Sequence, residues 1–219
     1  MRRTVRLGLD EAGRGPLLGP IVFCGVMGEE GALSRLGVRD SKKLSPSRRE
    51  ELAAEIEKMC DWQASIVWPE EIDRYVNKEL LNELELKAFA EIIAEFDCRD
   101  IVVDAADPDE ERFGRRLSEL SGRSILSRHK ADELFPSVSA ASIMAKTIRD
   151  RLVAEISYRM GTVTGSGYPS DNVTVKYLEA ALRSCKIPPP FIRRSWEPVQ
   201  RMQSASKVKK LEYFSEHND

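Results

Sequence analysis

The sequence predicts an α/β fold in which helices flank a sheet and a small helical region follows at the C-terminus. Short apolar, β-prone runs alternate along the chain with longer segments whose apolar residues recur at helical spacing. This alternation is typical of a sheet covered by helices. A chain of 219 residues is also long enough to bury a sizeable core.

The first half of the chain begins with two predicted strands. Apolar residues at 5–9 and 21–27 are separated by glycine and proline, which predicts two neighbouring strands. Ser45 and Pro46 then predict the start of a helix, and residues 62–68 predict a third strand. A strong amphipathic helix follows. Its predicted buried stripe consists of Leu80, Leu81, Leu84, Phe89, Ile92, Ile93 and Phe96.

The second half continues the alternation. Residues 101–104 predict a short strand, and Asp107 with Pro108 predicts a helix that has an N-cap residue and proline at its first position. Residues 123–128 predict another strand and residues 138–160 a long helix. Because this helix opens with the small residues Ser-Ala-Ala-Ser, we expect it to lie close against a neighbouring element.

The C-terminal part is predicted to be helical. Asp171 is expected to cap a helix that runs through Leu182, and three prolines at 188–190 separate the last segment. We therefore expect one domain at 1–187 and a C-terminal helical segment at 188–219.

The composition limits the classes of protein. A net charge of -2 excludes a polycation that coats nucleic acid nonspecifically. Basic residues do cluster, as at 128–130 and in Arg193 with Arg194, but short basic runs are usually solvated surface. The four cysteines show no CxxC spacing. The sequence shows no run of apolar residues long enough to span a membrane, and we expect no signal peptide. We expect reduced thiols and a cytoplasmic protein.

Four acids have no ordinary structural explanation. Helix capping accounts for acids such as Asp107 and Asp171, but four others precede no evident helix start: Asp10, Glu11, Asp104 and Asp132. Gathered in one place they would repel one another unless cations lay between them, and two Mg²⁺ or Mn²⁺ ions are the arrangement used for displacement at phosphorus. Asp10 and Glu11 would reach one site only where the pleat of their strand breaks, and Gly13 and Gly15 are expected to supply that break.

Two predicted loops are candidates for binding. Residues 13–19 match a dinucleotide-binding loop poorly, because the third glycine comes one place late and an extended segment follows. They form either a tight turn or a site where backbone amides approach a sugar-phosphate. Tyr168, between glycine and proline, is either surface or a stacking platform. His129 is predicted to be structural, and with only His217 besides it a serine-histidine-acid triad has almost no support.

These motifs resemble the type 2 ribonuclease H family, ribonuclease HII, in its single-subunit archaeal form. The resemblance covers most of the chain, and several separated motifs occur in the right order. The segments that carry it are Gly8–Pro16, Asp40–Leu44, Val102–Asp104, Lys130–Asp132, Val138–Lys146 and Gly165–Asp171.

The resemblance implies a ribonuclease H-like mixed sheet flanked by helices, with 1–187 as the catalytic domain. It also implies roles for particular residues. Asp10, Glu11, Asp104 and Asp132 would hold Mg²⁺ or Mn²⁺. Three residues would contact the ribose 2′-OH near the scissile phosphate, namely Gly13, Arg14 and Gly15. Tyr168 would pack on the neighbouring sugar at the RNA-to-DNA junction, and Lys42 and Lys43 would meet phosphates.

The implied activity is an endonuclease that hydrolyses the RNA strand of RNA–DNA hybrids and cuts 5′ of single ribonucleotides in duplex DNA. Water activated by the divalent ion would attack phosphorus and leave a 3′-hydroxyl and a 5′-phosphate. The implied protein is a monomer that acts on nucleic acid and not on membranes. Whether a clamp-type partner binds its C-terminus stays open. Two alternatives also stay open: a noncatalytic hybrid-binding module, and a metal-dependent nuclease or phosphotransferase without ribose selectivity.

Overall fold

The computed structural model describes residues 4–38, 44–77, 80–185 and 187–205. These residues divide into two compact units. The described parts of the first unit are 4–13, 21–38, 44–66 and 80–149, and those of the second are 14–20, 67–77, 150–185 and 187–205. The functional division into 1–187 and 188–219 stays a prediction.

A five-stranded mixed sheet forms the centre of the first unit. Its strands are β1 (Val5–Ala12), β2 (Ile21–Glu29), β3 (Asp61–Val67), β4 (Ile101–Asp104) and β5 (Ile125–Arg128). Their order is β3-β2-β1-β4-β5. Strand β1 pairs antiparallel with β2 and parallel with β4, and β4 pairs parallel with β5. The predicted fold class and the five predicted strands are confirmed.

Helices fill most of the remaining chain. They are α1 (Glu30–Leu36), α2 (Pro46–Met59), α3 (Pro69–Val76), α4 (Leu81–Ala94), α5 (Glu110–Ser121), α6 (Ala131–Leu134), α7 (Pro136–Arg159) and α8 (Asn172–Ser184). Residues 197–205 are also helical. The sequence did not predict α1, α3 or α6. No helix among the described residues is both long and apolar enough to cross a membrane.

Helix caps show where the sequence rules succeed and where they are wrong. Ser45 caps α2 and Asp171 caps α8, as predicted. Helix α5 starts later than predicted, because its N-cap is Asp109 and not Asp107. The Asp107 carboxylate instead accepts hydrogen bonds from the side chains of Asn82 and Arg112, at 2.7 Å each.

The predicted buried stripe is wrong at one residue, Leu80, which precedes α4 and is 40% exposed. The rest of the stripe includes Phe89, whose ring makes edge-to-face contacts with Phe23 of β2 and Phe113 of α5 at centroid distances of 5.2 and 6.4 Å. Such contacts stabilise aromatic cores. They place α4 and α5 against the same face of the sheet.

The start of α7 packs directly on β1. A Cβ atom at Gly8 would collide with the backbone of Ser137 and Val138, so only glycine permits this approach. The helix thus packs closely on β1, as expected, but this contact lies at Ser137 and Val138, just before the small residues at 139–142. Because strand residues alternate in direction, Gly8 and Asp10 face α7, whereas Leu7 and Leu9 face the opposite side.

The cysteines are free thiols. The second unit has its own apolar core. Its buried core residues include Leu17, Leu18, Val153, Ile156, Leu178, Leu182, Phe191, Ile192 and Val199. In the first unit, burial raises the pKa of the Cys24 thiol well above its usual range, which keeps that thiol protonated.

Candidate active site

Asp10 lies on β1 and faces α7. Gly8 contacts α7 at Val138. Asp10 lies about 6.6 Å further along the strand, and Ser142 lies about 6 Å further along the helix, so the two side chains come opposite one another. The Ser142 hydroxyl is hydrogen-bonded to the Asp10 carboxylate. The backbone N–H of Glu11 also donates to Asp10 Oδ1 at 2.7 Å. Asp10 is 6% exposed, so the fold holds a buried carboxylate in a fixed orientation.

Asp104 ends β4, the parallel neighbour of β1. Because Leu9 is paired with Val103, the next residues of the two strands, Asp10 and Asp104, are adjacent. Asp104 Oδ1 accepts a hydrogen bond from the backbone N–H of Ala131 at 3.2 Å. This bond joins the end of the strand to the first residue of α6.

Asp132 is the second residue of α6, a helix of only four residues that the sequence did not predict. Lys130 precedes this helix with a left-handed φ of 55°, a conformation uncommon for a residue other than glycine. The turn directs Asp132 inward, where it is 4% exposed.

The structure brings these three acids together. Each offers a carboxylate oxygen, and all three atoms lie within 4.8 Å of one another. We call Asp10, Asp104 and Asp132 the acid cluster. Burial, and then the negative charge of Asp104, raise the pKa of Asp10 to about 8, although its hydrogen bonds to Ser142 and the Glu11 amide act in the opposite direction. Folding therefore places Asp10 where its charged form is disfavoured.

The donor set of the acid cluster fits a hard divalent cation. All its donors are carboxylate oxygens, which suit Mg²⁺ or Mn²⁺. Oxygens on opposite sides of a Mg²⁺ ion are about 4.2 Å apart, so carboxylate oxygens that all lie within 4.8 Å of one another are close enough to share one ion. A bound cation would also offset the repulsion that raises the pKa of Asp10.

Glu11 differs from the predicted arrangement. Pairing with β2 continues regularly through Glu11 and Ala12, so the pleat does not break there. The break comes after the strand, where Gly13 has a φ of 102°. Glu11 is half-buried, and the three-acid group found among the described residues does not include it. Its role as a metal ligand stays a prediction.

The second unit contains most of the glycine-rich segment and the loop of Tyr168. Arg14 is half-buried and Gly15 is exposed, and a Cβ atom added to Gly15 would meet nothing within 4 Å. The N–H of Leu17 donates to the carbonyl of Gly167 at 2.7 Å. We call segments 14–20 and 164–171, which this bond joins, the loop pair.

Hydrogen bonds also fix the conformation around the half-buried Tyr168. Asp171 Oδ2 accepts from the N–H and the hydroxyl of Ser166 at 2.6 and 2.8 Å, and Oδ1 accepts from the N–H of Val173 at 2.9 Å. These bonds lower the pKa of Asp171 to about 2. Gly167, with a φ of 88°, donates its N–H to Thr174 Oγ1 at 2.9 Å.

The structure bears on some of the remaining residues considered from the sequence and not on others. Lys42 and Lys43 lie outside the described residues. The His129 ring is hydrogen-bonded to the carbonyl of Asp107 through Nε2 at 2.8 Å, in agreement with a structural role. Sequence reasoning missed Ser142, because the small residues of α7 were interpreted only as packing. It also missed Arg193, which is fully buried and donates to three backbone carbonyls.

The chain is similar in sequence and in fold to known proteins of one family. The model of the family Ribonuclease HII matches residues 7–199. The ribonuclease HII of Methanococcoides burtonii is 45% identical over 207 residues, which are 89% of this chain and 97% of the relative. Among solved structures, ribonuclease HII in its complex with PCNA from Archaeoglobus fulgidus is 41% identical with a TM-score of 0.84, covering 90% of this chain and 96% of that one. The ribonuclease H2 of Pyrococcus horikoshii OT3 is 35% identical with a TM-score of 0.85, covering 93% and 99%.

Proposed function

The chain belongs to the ribonuclease HII family, and from this membership we propose that it cuts the RNA strand of RNA–DNA hybrids and incises duplex DNA 5′ of a single embedded ribonucleotide. The products would be a 3′-hydroxyl and a 5′-phosphate. The observation that carries the proposal is the acid cluster, since three carboxylates this close together, two of them buried, suit a divalent ion and hydrolysis at phosphorus.

The proposed metal ligands are Asp10, Glu11, Asp104 and Asp132, and the proposed ion is Mg²⁺ or Mn²⁺. Such an ion supplies positive charge that stabilises the negative charge developing on phosphate oxygens during hydrolysis. The protein's own contribution is orientation. Ser142 and the Glu11 amide fix the Asp10 carboxylate, and the Ala131 amide fixes Asp104.

Selectivity for ribonucleotides is assigned to the loop pair together with Gly13. We propose that Gly13, Arg14 and Gly15 contact the 2′-OH, the group that distinguishes RNA from DNA, and that Tyr168 packs on the adjacent sugar. The open space beside Gly15 supports this role, because packing within the protein does not require glycine there. Lys42 and Lys43 are proposed to contact phosphates.

The proposal extends to partners. The Archaeoglobus fulgidus relative was solved in complex with PCNA, which supports a clamp partner for this chain, with the C-terminal segment 188–219 as the proposed contact. The catalytic role of 1–187, the monomeric state and the cytoplasmic location stay predictions.

Three matched labelled duplexes test the function: an RNA–DNA hybrid, a DNA duplex with one ribonucleotide, and the same duplex in DNA alone. With Mg²⁺ or Mn²⁺ we expect cleavage of the first two and none of the third. The single-ribonucleotide duplex should be cut at one position on its 5′ side. Extension by a polymerase and sensitivity to phosphatase identify the 3′-hydroxyl and the 5′-phosphate.

Each alternative gives a different result in this assay. Equal cleavage of the all-DNA duplex would indicate a nuclease without ribose selectivity. Binding of the ribonucleotide duplex without cleavage under either metal would indicate a hybrid-binding module. Cutting on the 3′ side of the ribonucleotide would contradict the proposed incision site, and a 3′-phosphate or a 5′-hydroxyl at the cut would contradict the proposed product chemistry.

A further inference from the structure

Arg193 and Arg194 form a basic pair that the sequence predicts to lie on the surface. The side chain of Arg193 is nevertheless fully buried. Its guanidinium donates through Nε to the carbonyl of Gly19 at 3.0 Å, through Nη1 to that of Arg14 at 3.1 Å, and through Nη2 to that of Pro20 at 3.0 Å. The guanidinium carbon lies 4.8 Å from the centre of the Trp196 ring. One buried cation therefore contacts both ends of segment 14–20.

Backbone pairing reinforces this contact. The N–H of Arg193 donates to the carbonyl of Leu17 at 3.0 Å, and the N–H of Gly19 donates to the carbonyl of Phe191 at 2.8 Å. Leu18 and Ile192 form an antiparallel bridge between these bonds. Segment 14–20 is thus held against residues 191–193, which come more than 170 positions later in the chain.

The bond to the carbonyl of Arg14 has a specific consequence for Gly15. The carbonyl of Arg14 and the N–H of Gly15 belong to one planar trans peptide, in which they point in opposite directions. A guanidinium that fixes the carbonyl therefore fixes the direction of the amide. A charge-assisted bond to the carbonyl also polarises the peptide, which makes the N–H a stronger donor.

We propose that Arg193 is a positioning residue for ribose recognition: it aims and polarises the amide of Gly15 and holds segment 14–20 in register with the loop of Tyr168. The inference rests on the proposed contact between Gly15 and the 2′-OH. Lysine cannot replace the arginine, because an ammonium does not present a planar fork of donors to carbonyls spread along one loop.

The experiment measures ribose discrimination, defined as the Kd for an all-DNA duplex divided by the Kd for the same duplex with one ribonucleotide. All proteins carry Asp104→Asn and are measured with Mg²⁺, so that the duplex is bound but not cut. Arg193→Lys is expected to lower the ratio about fivefold to tenfold, the effect of losing a well-oriented hydrogen bond.

Leu182→Ala is the matched control, because it removes buried volume from the core of the same unit without touching the Arg193 contacts. It is expected to lower the thermal unfolding temperature and leave the ratio unchanged. Equal ratios in Arg193→Lys and in the protein with Arg193 intact would overturn the proposal, and so would an equal fall in Leu182→Ala.

A second variant decides the matter if Arg193→Lys does not fold. Trp196→Leu keeps the guanidinium but removes the ring beneath it, and is expected to lower the ratio about twofold, in line with a modest cation–π contribution. An unchanged ratio in folded Trp196→Leu would then overturn the proposal. Cleavage of the three duplexes by the protein with Asp104 intact tests the proposed function separately, so failure there is distinct from failure of the role of Arg193.

Discussion

The acid cluster and the loop pair are held in place by different kinds of interaction. In the acid cluster, strands and a short helix bring carboxyl groups together, and burial, followed by the negative charge of Asp104, raises the pKa of Asp10. In the loop pair, backbone groups are satisfied by one another and by buried donors such as Arg193. The first region opposes folding and the second supports it.

This difference separates the expected effects of substitution on activity and on stability. Removing a charge from the acid cluster should impair activity while leaving stability equal or higher. Removing a hydrogen bond from the loop pair should lower both activity and stability. A substitution at Gly15 should affect activity alone, because a side chain added there faces open space.

The largest effect is expected from Asp104→Asn. The variant keeps the acceptor for the Ala131 amide but loses one of the charges proposed to bind the metal. Activity should therefore fall by more than about 100-fold, beyond the loss typical of residues that only support a metal ligand. Without metal its unfolding temperature should equal or exceed that of the unmodified protein, because repulsion with Asp10 is relieved. Cleavage assays and thermal unfolding in EDTA measure both quantities.

Asp107→Asn is the matched control, since it makes the same chemical change outside the acid cluster and weakens the pairing with Arg112. It should keep most of the activity and lose some stability. A marked loss of stability in Asp104→Asn without metal would contradict the view that the acid cluster opposes folding.

Ser142→Ala is expected to have the next largest effect. It removes the hydrogen bond that favours the charged form of Asp10, so the affinity for Mn²⁺ should fall about tenfold, as for other residues that orient a metal ligand. Calorimetric titration with Mn²⁺ in the absence of nucleic acid measures this affinity. An unchanged affinity would show that Asp10 does not need Ser142 for its orientation.

Gly15→Ala should reduce activity on the single-ribonucleotide duplex about fivefold and leave stability within about 0.5 kcal/mol, because the new methyl group meets no protein atom. Gly13→Ala is the contrasting variant. Its φ of 102° is strained for alanine, and it should lose about 1–3 kcal/mol of stability. Unfolding curves and steady-state kinetics of the two variants test this pair, and a destabilised Gly15→Ala would contradict the expectation.

The smallest effect is expected from Asp171→Ala, which removes the cap of α8 and should cost about 1 kcal/mol of stability at neutral pH. The folded pKa of Asp171 is about 2, below the unfolded value of about 4, so the stabilisation is complete above the unfolded pKa and is lost as the pH falls towards 2. The difference in unfolding free energy should therefore shrink between about pH 4 and pH 2. Asp109→Ala, which removes the corresponding cap of α5, controls for the loss of a cap.

The parts of the molecule that the sequence predicted are those set by local pattern. Strand and helix periodicity predicted the sheet, and the position of Asp10 and Asp104 on apolar strands predicted that they meet. The same local rules could have found α3, because Pro69 at its start and acids in its first turn repeat the signal used elsewhere.

The parts that the sequence did not predict depend on contacts between distant residues. Helix α6 has only four residues and follows a left-handed Lys130, so no periodic pattern marks it. Arg193 was interpreted as surface charge, because nothing in its neighbourhood reveals the carbonyls of Arg14, Gly19 and Pro20. Its burial is a property of tertiary structure alone.

The missing side chain at Gly8 has a consequence for redesign. The backbone of α7 occupies the space that a methyl group would need, so the gap between strand and helix is fixed at its minimum. A larger residue at position 8 would push the start of α7 away from β1 and would displace Ser142 from Asp10, so redesign of this region has to leave residue 8 unchanged. The absence of a side chain at residue 8 thus sets how closely α7 approaches β1, and with it the place of Ser142 beside Asp10.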